Sequence, residues 1–149
     1  MASLLKKIGF ETIFHGLNKD LRNSNDFCLE KEVHGHILYE SSYPSSVSDW
    51  AKFIVRCDYV STLIKQYGHQ NIHAIIAYNY PAMSMARMIR LSSKFGIHFV
   101  SHCTEWYGPS NRSFPSNIVK NMDTFLRMRI VNNHARNVIC ISDYLETIY

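Results

Sequence analysis

Two apolar runs separated by one helix-length segment constrain this chain most: residues 72–78 (IHAIIAY) and residues 97–101 (IHFVS). A nearly continuous apolar strand is what a sheet covered on both faces selects. Two such strands joined through a helix are parallel neighbours. Between the runs, Pro81 opens the helix as a first-turn proline, Ala82, Met85, Ala86 and Ile89 recur at helical spacing as its inner face, and Gly96 ends it. Each run leads into a cluster of polar and aromatic residues. The first reads Tyr78-Asn79-Tyr80-Pro81, the second Ser101-His102-Cys103-Thr104-Glu105-Trp106-Tyr107-Gly108. Parallel neighbours deliver both clusters to one carboxyl edge, where open α/β sheets bind ligands.

The rest of the chain fits the same scheme. Residues 3–8 read as the end of a helix stopped by Gly9, residues 10–15 alternate as a strand, and residues 16–31 read as a polar connection. Residues 34–40 are a second strand. Ser46 and Asp49 have capping-box spacing and open one helix, whose apolar positions Val47, Trp50, Ile54, Cys57, Ser61, Ile64 and Tyr67 run to Gly68. Residues 117–136 form a helix capped by Ser116, residues 138–141 a short strand, and Ser142 caps a last helix. The order α-β-β-α-β-α-β-α-β-α predicts an α/β fold: one Rossmann-like parallel sheet with helices on both faces, in a single domain over residues 1–149.

A chain of 149 residues buries a core without staples, and 46% hydrophobic with 19% charged residues is an ordinary globular balance. The net charge of +4 lacks the dense basic patch of a nucleic-acid binder, so no nucleic-acid partner is expected. Lys120, Arg127, Arg129 and Arg136, with Arg87, Arg90 and Lys94, read as solvated helix surface and allow at most peripheral membrane contact. No window reaches the roughly 20 apolar residues of a membrane span. Cys28, Cys57, Cys103 and Cys140 have no metal or disulfide spacing, so reduced thiols, a cytoplasmic setting and no metal are expected.

Within the clusters, Glu105 has the chemistry of a general base toward a hydroxyl, or of a ligand held through the same hydrogen bond. Its bland counterpart is a carboxylate paired with a nearby Arg or Lys. Asn79 offers a donor and an acceptor in a strand-to-helix turn, beside a helix N-terminus that favours anions; an Asx-type turn without ligand is the alternative. His102 has no second ligand at metal spacing and reads as a satisfied or solvent-facing histidine. His34 and His36 form an HxH pair on one strand face with no third ligand. Trp106 and Tyr107 suit stacking on a sugar ring, or equally core or rim packing.

The segment IIAYNYPAMSMARMIRLSSKFGIHFVSHCTEWYG, with GFETIFHGLNKD before it and ICISDYLETIY after it, resembles the N-terminal domain of family 4 glycosyltransferases of the GT-B type, of the kind that assembles bacterial capsular and surface polysaccharides. The resemblance covers nearly the whole chain, and residues 103–108 are its most specific part. It implies the acceptor-side half of a two-domain enzyme that transfers a sugar from a nucleotide-sugar to a glycan or lipid-linked acceptor. No metal or cofactor is implied beyond the nucleotide-sugar co-substrate, which the donor half binds. Glu105 would stand at the catalytic cleft, with Asn79, Thr104 and Ser142 binding acceptor.

Three departures accompany it. An acidic residue is expected where His102 stands, the family's first apolar strand and Gly-rich loop are not in the chain, and no donor domain follows. These lead to the expectation of a truncated half-enzyme, inactive alone, or of one chain of a split enzyme with a separate donor-domain chain. The alternative readings are a non-catalytic glycan- or partner-binding module and an unrelated Rossmann-like binding domain.

Overall fold

The computed structural model describes residues 2–23, 28–103 and 116–147, in two compact units, Met1–Trp50 and Ala51–Tyr149. In the first unit, helix α1 (Ala2–Lys7) ends where Gly9, at φ 92°, lets the chain leave the helix. Strands β1 (Ile13–Asn18), β2 (Cys28–Val33) and β3 (His36–Ser42) form a mixed sheet in the order β1-β3-β2. β1 runs parallel to β3, with Ile13 opposite Ile37, and β2 runs antiparallel to it, with Val33 opposite His36.

β2 corrects the expectation of a structureless connection over residues 16–31. Its hairpin to β3 is a two-residue turn, His34-Gly35, with φ of 52° and 74°. Two consecutive positive φ values are the mark of the turn whose twist matches a hairpin. His34 is therefore in a turn, and the HxH pair does not share a strand face. β2 escapes pattern reading because it is a polar edge strand whose partners lie across the sheet. Lys31 Nζ donates to Glu40 Oε2 at 2.7 Å, Asn18 Nδ2 donates to the same oxygen at 2.9 Å, and Tyr39 Oη donates to Glu30 Oε2 at 2.8 Å. The bond from Lys31, then that from Asn18, holds the Glu40 carboxyl below the usual carboxylate range.

Helix α2 (Val47–Arg56) begins with the expected capping box: Asp49 N donates to Ser46 Oγ at 3.1 Å and Ser46 N donates back to Asp49 Oδ2 at 3.2 Å. The single helix expected to Gly68 is instead two. Cys57 takes a left-handed conformation (φ 50°) and is 1% exposed, so the rod breaks there and α3 (Asp58–Tyr67) starts in a new direction. The helical period continues through Cys57, which is why the pattern hides the break.

The second unit holds a sheet that is parallel throughout. Strands β4 (Ala74–Tyr78), β5 (His98–Cys103) and β6 (Asn137–Cys140) lie in the order β4-β5-β6, with Tyr78 opposite His102 and Cys103 opposite Cys140. Helix α4 (Ala82–Phe95) joins β4 to β5, with Pro81 at its N-cap rather than in its first turn. It closes on Gly96, whose φ of 70° lets Ile97 N reach back to Ser92 O at 2.9 Å. The helical run before β6 comprises α5 (Ser116–Phe125), a π turn (Leu126–Val131) and α6 (Asn132–His134); α7 (Asp143–Glu146) follows β6.

Alternation along the strands decides where this unit's core sits. Ala77 and Phe99 join Cys57, Val60, Ile64, Met85 and Met88 in one buried cluster, and Cys103 joins Met128 and Leu145 in a second. Side chains two residues apart share a face, so these belong to one side of the sheet. On the other side Ala74, Ile76, Tyr78 and His98 are exposed, with Val100 and His102 half-buried. The α/β class is thus met, and among the described residues the helices cover one face of the parallel sheet and the strands form two three-stranded sheets rather than one doubly wound sheet. On α4, Met85 and Ala82 are buried as expected, whereas Ala86 is exposed and Met88 takes the inner position.

Candidate functional site

The parallel register brings the ends of β4, β5 and β6 to one edge, as the two clusters require. Asn79 leaves β4, Cys103 ends β5, and Ser142 follows β6 by two residues. Strands spaced about 4.8 Å apart put the exits of β4 and β6 roughly 10 Å apart, with the exit of β5 between them. Thr104 and Glu105, with Trp106 and Tyr107, lie outside the described residues.

Asn79 is exposed and sits at φ 52°. Strand must become helix within three residues here, and asparagine tolerates the left-handed region better than other non-glycine residues. Tyr80 turns away from the edge into the core. Its ring stacks on Tyr59 at 5.6 Å and lies 6.1 Å from Phe53, and burial pushes its phenol up to about 12. The Cys57 thiol beside this cluster is pushed up to about 11 by burial, which makes it an unreactive packing group.

The N-terminus of α4 is not the open anion site that Asn79 and Pro81 suggest. Asp123, from α5, accepts the Ala82 N–H at 2.8 Å and occupies the position an anion would take. Forty-one residues separate the two, so only the packing of α5 across the start of α4 brings them together. Deeper in the same unit, Ser101 Oγ donates to Asn132 Oδ1 at 2.8 Å, both residues almost wholly buried. A polar pair satisfied inside a core fixes the π turn and α6 against β5. The π turn carries Met128 into the core, and Arg127 reaches a crevice shared with Asn79, His102 and Asn132. π turns of this kind often mark functional segments. The crevice has room for about one water and cannot enclose a sugar ring.

His102 is half-buried, its ring 5.3 Å from that of Tyr78 and inclined at 60°. Its ring thus packs against that of Tyr78. Ser142 does what a cap does, accepting the Leu145 N–H at 3.4 Å. It also borders a hollow of about 300 Å³ at the end of β6, together with Cys140, Asp143 and Glu146. A hollow of that size is at the lower end of small-ligand sites.

Asp123 and Asn132 are the residues that sequence reasoning missed, and neither carries a local pattern; Ser101 stood in the second cluster without an assigned role. Arg127 was legible only as one of several basic helix residues. Among the described residues, no group of three or more His, Cys, Asp or Glu side chains gathers to hold a metal ion, and no helix is long and apolar enough to cross a membrane. No family model, curated protein or solved structure matches this chain.

Proposed function

We propose that this chain is the acceptor-side, Rossmann-like half of a GT-B type glycosyltransferase of the polysaccharide-assembling kind. The observation that carries the reading is the register of β4 against β5. With Tyr78 opposite His102, the Asn79 turn leaves the sheet at the edge where Cys103 ends β5. Ser142 leaves the third strand at the same edge. In this reading the acceptor hydroxyl attacks the anomeric carbon of a nucleotide-sugar, the bond to the nucleoside diphosphate breaks, and Glu105 accepts the hydroxyl proton or orients the hydroxyl by the same hydrogen bond. Asn79 and Thr104 hold the acceptor, and Ser142 contributes from the rim. The nucleotide-sugar belongs to a donor half, in the same polypeptide or in a separate chain, and the work takes place at the cytoplasmic side of a membrane.

Titration of the purified chain with a short-chain prenyl-diphosphate-linked N-acetylhexosamine tests this. Acceptor binding that weakens about tenfold, about 1.4 kcal/mol, in Asn79→Ala and in Glu105→Gln is the expected result. Absence of acceptor binding, or binding indifferent to both substitutions, overturns the site. Turnover of a nucleotide-sugar by the purified chain alone overturns the half-site reading.

A further inference from the structure

We propose that the outer edge of β4 is a self-association surface, on which a second copy of this chain pairs its own β4 antiparallel, centred on Ile76. β4 closes one side of the order β4-β5-β6 and is hydrogen-bonded along one edge only among the described residues. Edge strands are ordinarily guarded by charge, proline, a bulge or shortness. The opposite edge follows that rule, since β6 has four residues and begins next to Arg136. β4 has none of these guards. Its sequence is Ala-Ile-Ile-Ala-Tyr, and no Asp, Glu, Lys or Arg occurs between Lys65 and Arg87. Ile76 is 38% exposed and Tyr78 55% exposed, on the face that the helices of this unit leave open.

The sequence of the strand selects the occupant. Antiparallel pairing about Ile76 sets Ile76 against Ile76, Ile75 against Ala77, Ala74 against Tyr78 and His73 against Asn79 of the second copy. A large side chain meets a small one at each off-centre strand position, and no like charges are opposed, the condition under which cross-strand pairs stabilise a sheet. A two-fold axis at Ile76 makes the contact isologous and closed, so it ends at a dimer. The result is a continuous six-stranded sheet, with the open-face residues Ile76 and Val100 continuing from one copy into the next. The inference stands on the geometry of β4 alone and is independent of the proposed function.

Light scattering on size-separated protein up to about 100 µM, a range in which a contact of modest affinity is populated, reads the association directly. A dimer is expected for the native chain. Ile76→Lys, which puts two ammonium groups face to face at the axis, shifts it to monomer, and Ile76→Thr leaves it dimeric. In parallel, Ile76→Cys treated with a small disulfide reagent is expected to crosslink into a covalent dimer by thiol–disulfide exchange, whereas Met83→Cys, on exposed α4 surface, is not. A native chain that is monomeric at the highest concentration overturns the proposal. So does a dimer indifferent to Ile76→Lys, or crosslinking at residues 76 and 83 alike. If Ile76→Lys fails to fold, the crosslinking comparison decides by itself.

Discussion

Replacing His15 by phenylalanine changes how the stability of the first unit depends on pH. His15 lies half-buried on β1, its Nε2 2.8 Å from Ser41 Oγ, and burial pushes its pKa from 6.5 down to about 4. The unfolded chain takes up a proton near pH 6.5 and the folded chain only near pH 4, so across that window the unfolded state holds more protons. Stability therefore falls as pH falls, and the contribution is whole above pH 6.5. At about 1.36 kcal/mol per pH unit the full window is worth about 3 kcal/mol, of which about 2 kcal/mol is lost by about pH 5. Phenylalanine keeps the apolar ring and abolishes the titration.

Urea unfolding at about pH 7.5 and about pH 5 measures the difference, since the midpoint moves with stability at fixed slope. The signal is Trp50, whose ring stands edge-on to Tyr43 at 5.3 Å, in a Trp106→Phe background. The native chain is expected to lose about 2 kcal/mol more than the variant between the two pH values. Equal losses in both proteins would refute the reasoning, because they would mean that His15 titrates alike in the folded and unfolded states.

Asp123→Ala removes the acceptor from the Ala82 amide and is expected to cost about 1 kcal/mol by thermal melting, while sulfate, free to take the vacated place, restores part of it and chloride does not. Ser101→Ala and Asn132→Ala should each cost about 1–3 kcal/mol by leaving a buried polar partner unmet, and the double variant less than the two together. Simple additivity would mean that the 2.8 Å contact carries no coupling.

Legibility in the sequence followed the range of the interactions. The capping box at Ser46 and Asp49, the cap at Ser142 and the glycine stops at Gly9 and Gly96 are settled within a few residues, and each stands where the sequence puts it. The apolar runs of β4 and β5 were equally legible, because burial on the covered face selects them. β2 was not, since Glu30 and Lys31 are chosen by Tyr39 and Glu40 across the hairpin and give no apolar alternation. The break at Cys57 was invisible because a left-handed residue with a buried side chain fits the helical period as well as a helical one. At the site, Asn79 and Ser142 were legible as turn and cap chemistry. The groups that occupy and support the same edge, Asp123 and the Ser101–Asn132 pair, come from 41 and 31 residues away.

By itself, then, the sequence determined the strand–helix–strand order of β4, α4 and β5, the capping box at Ser46 and the glycine stops at Gly9 and Gly96. These follow from backbone preference and apolar period, which act within a turn or a strand. Only the tertiary structure decided that, among the described residues, the strands divide into two sheets and the parallel sheet is covered on one face, and that a carboxylate fills the helix N-terminus beside Asn79. Those outcomes depend on which surfaces meet across the chain, and hydrogen bonds between distant residues leave no period for a sequence to display.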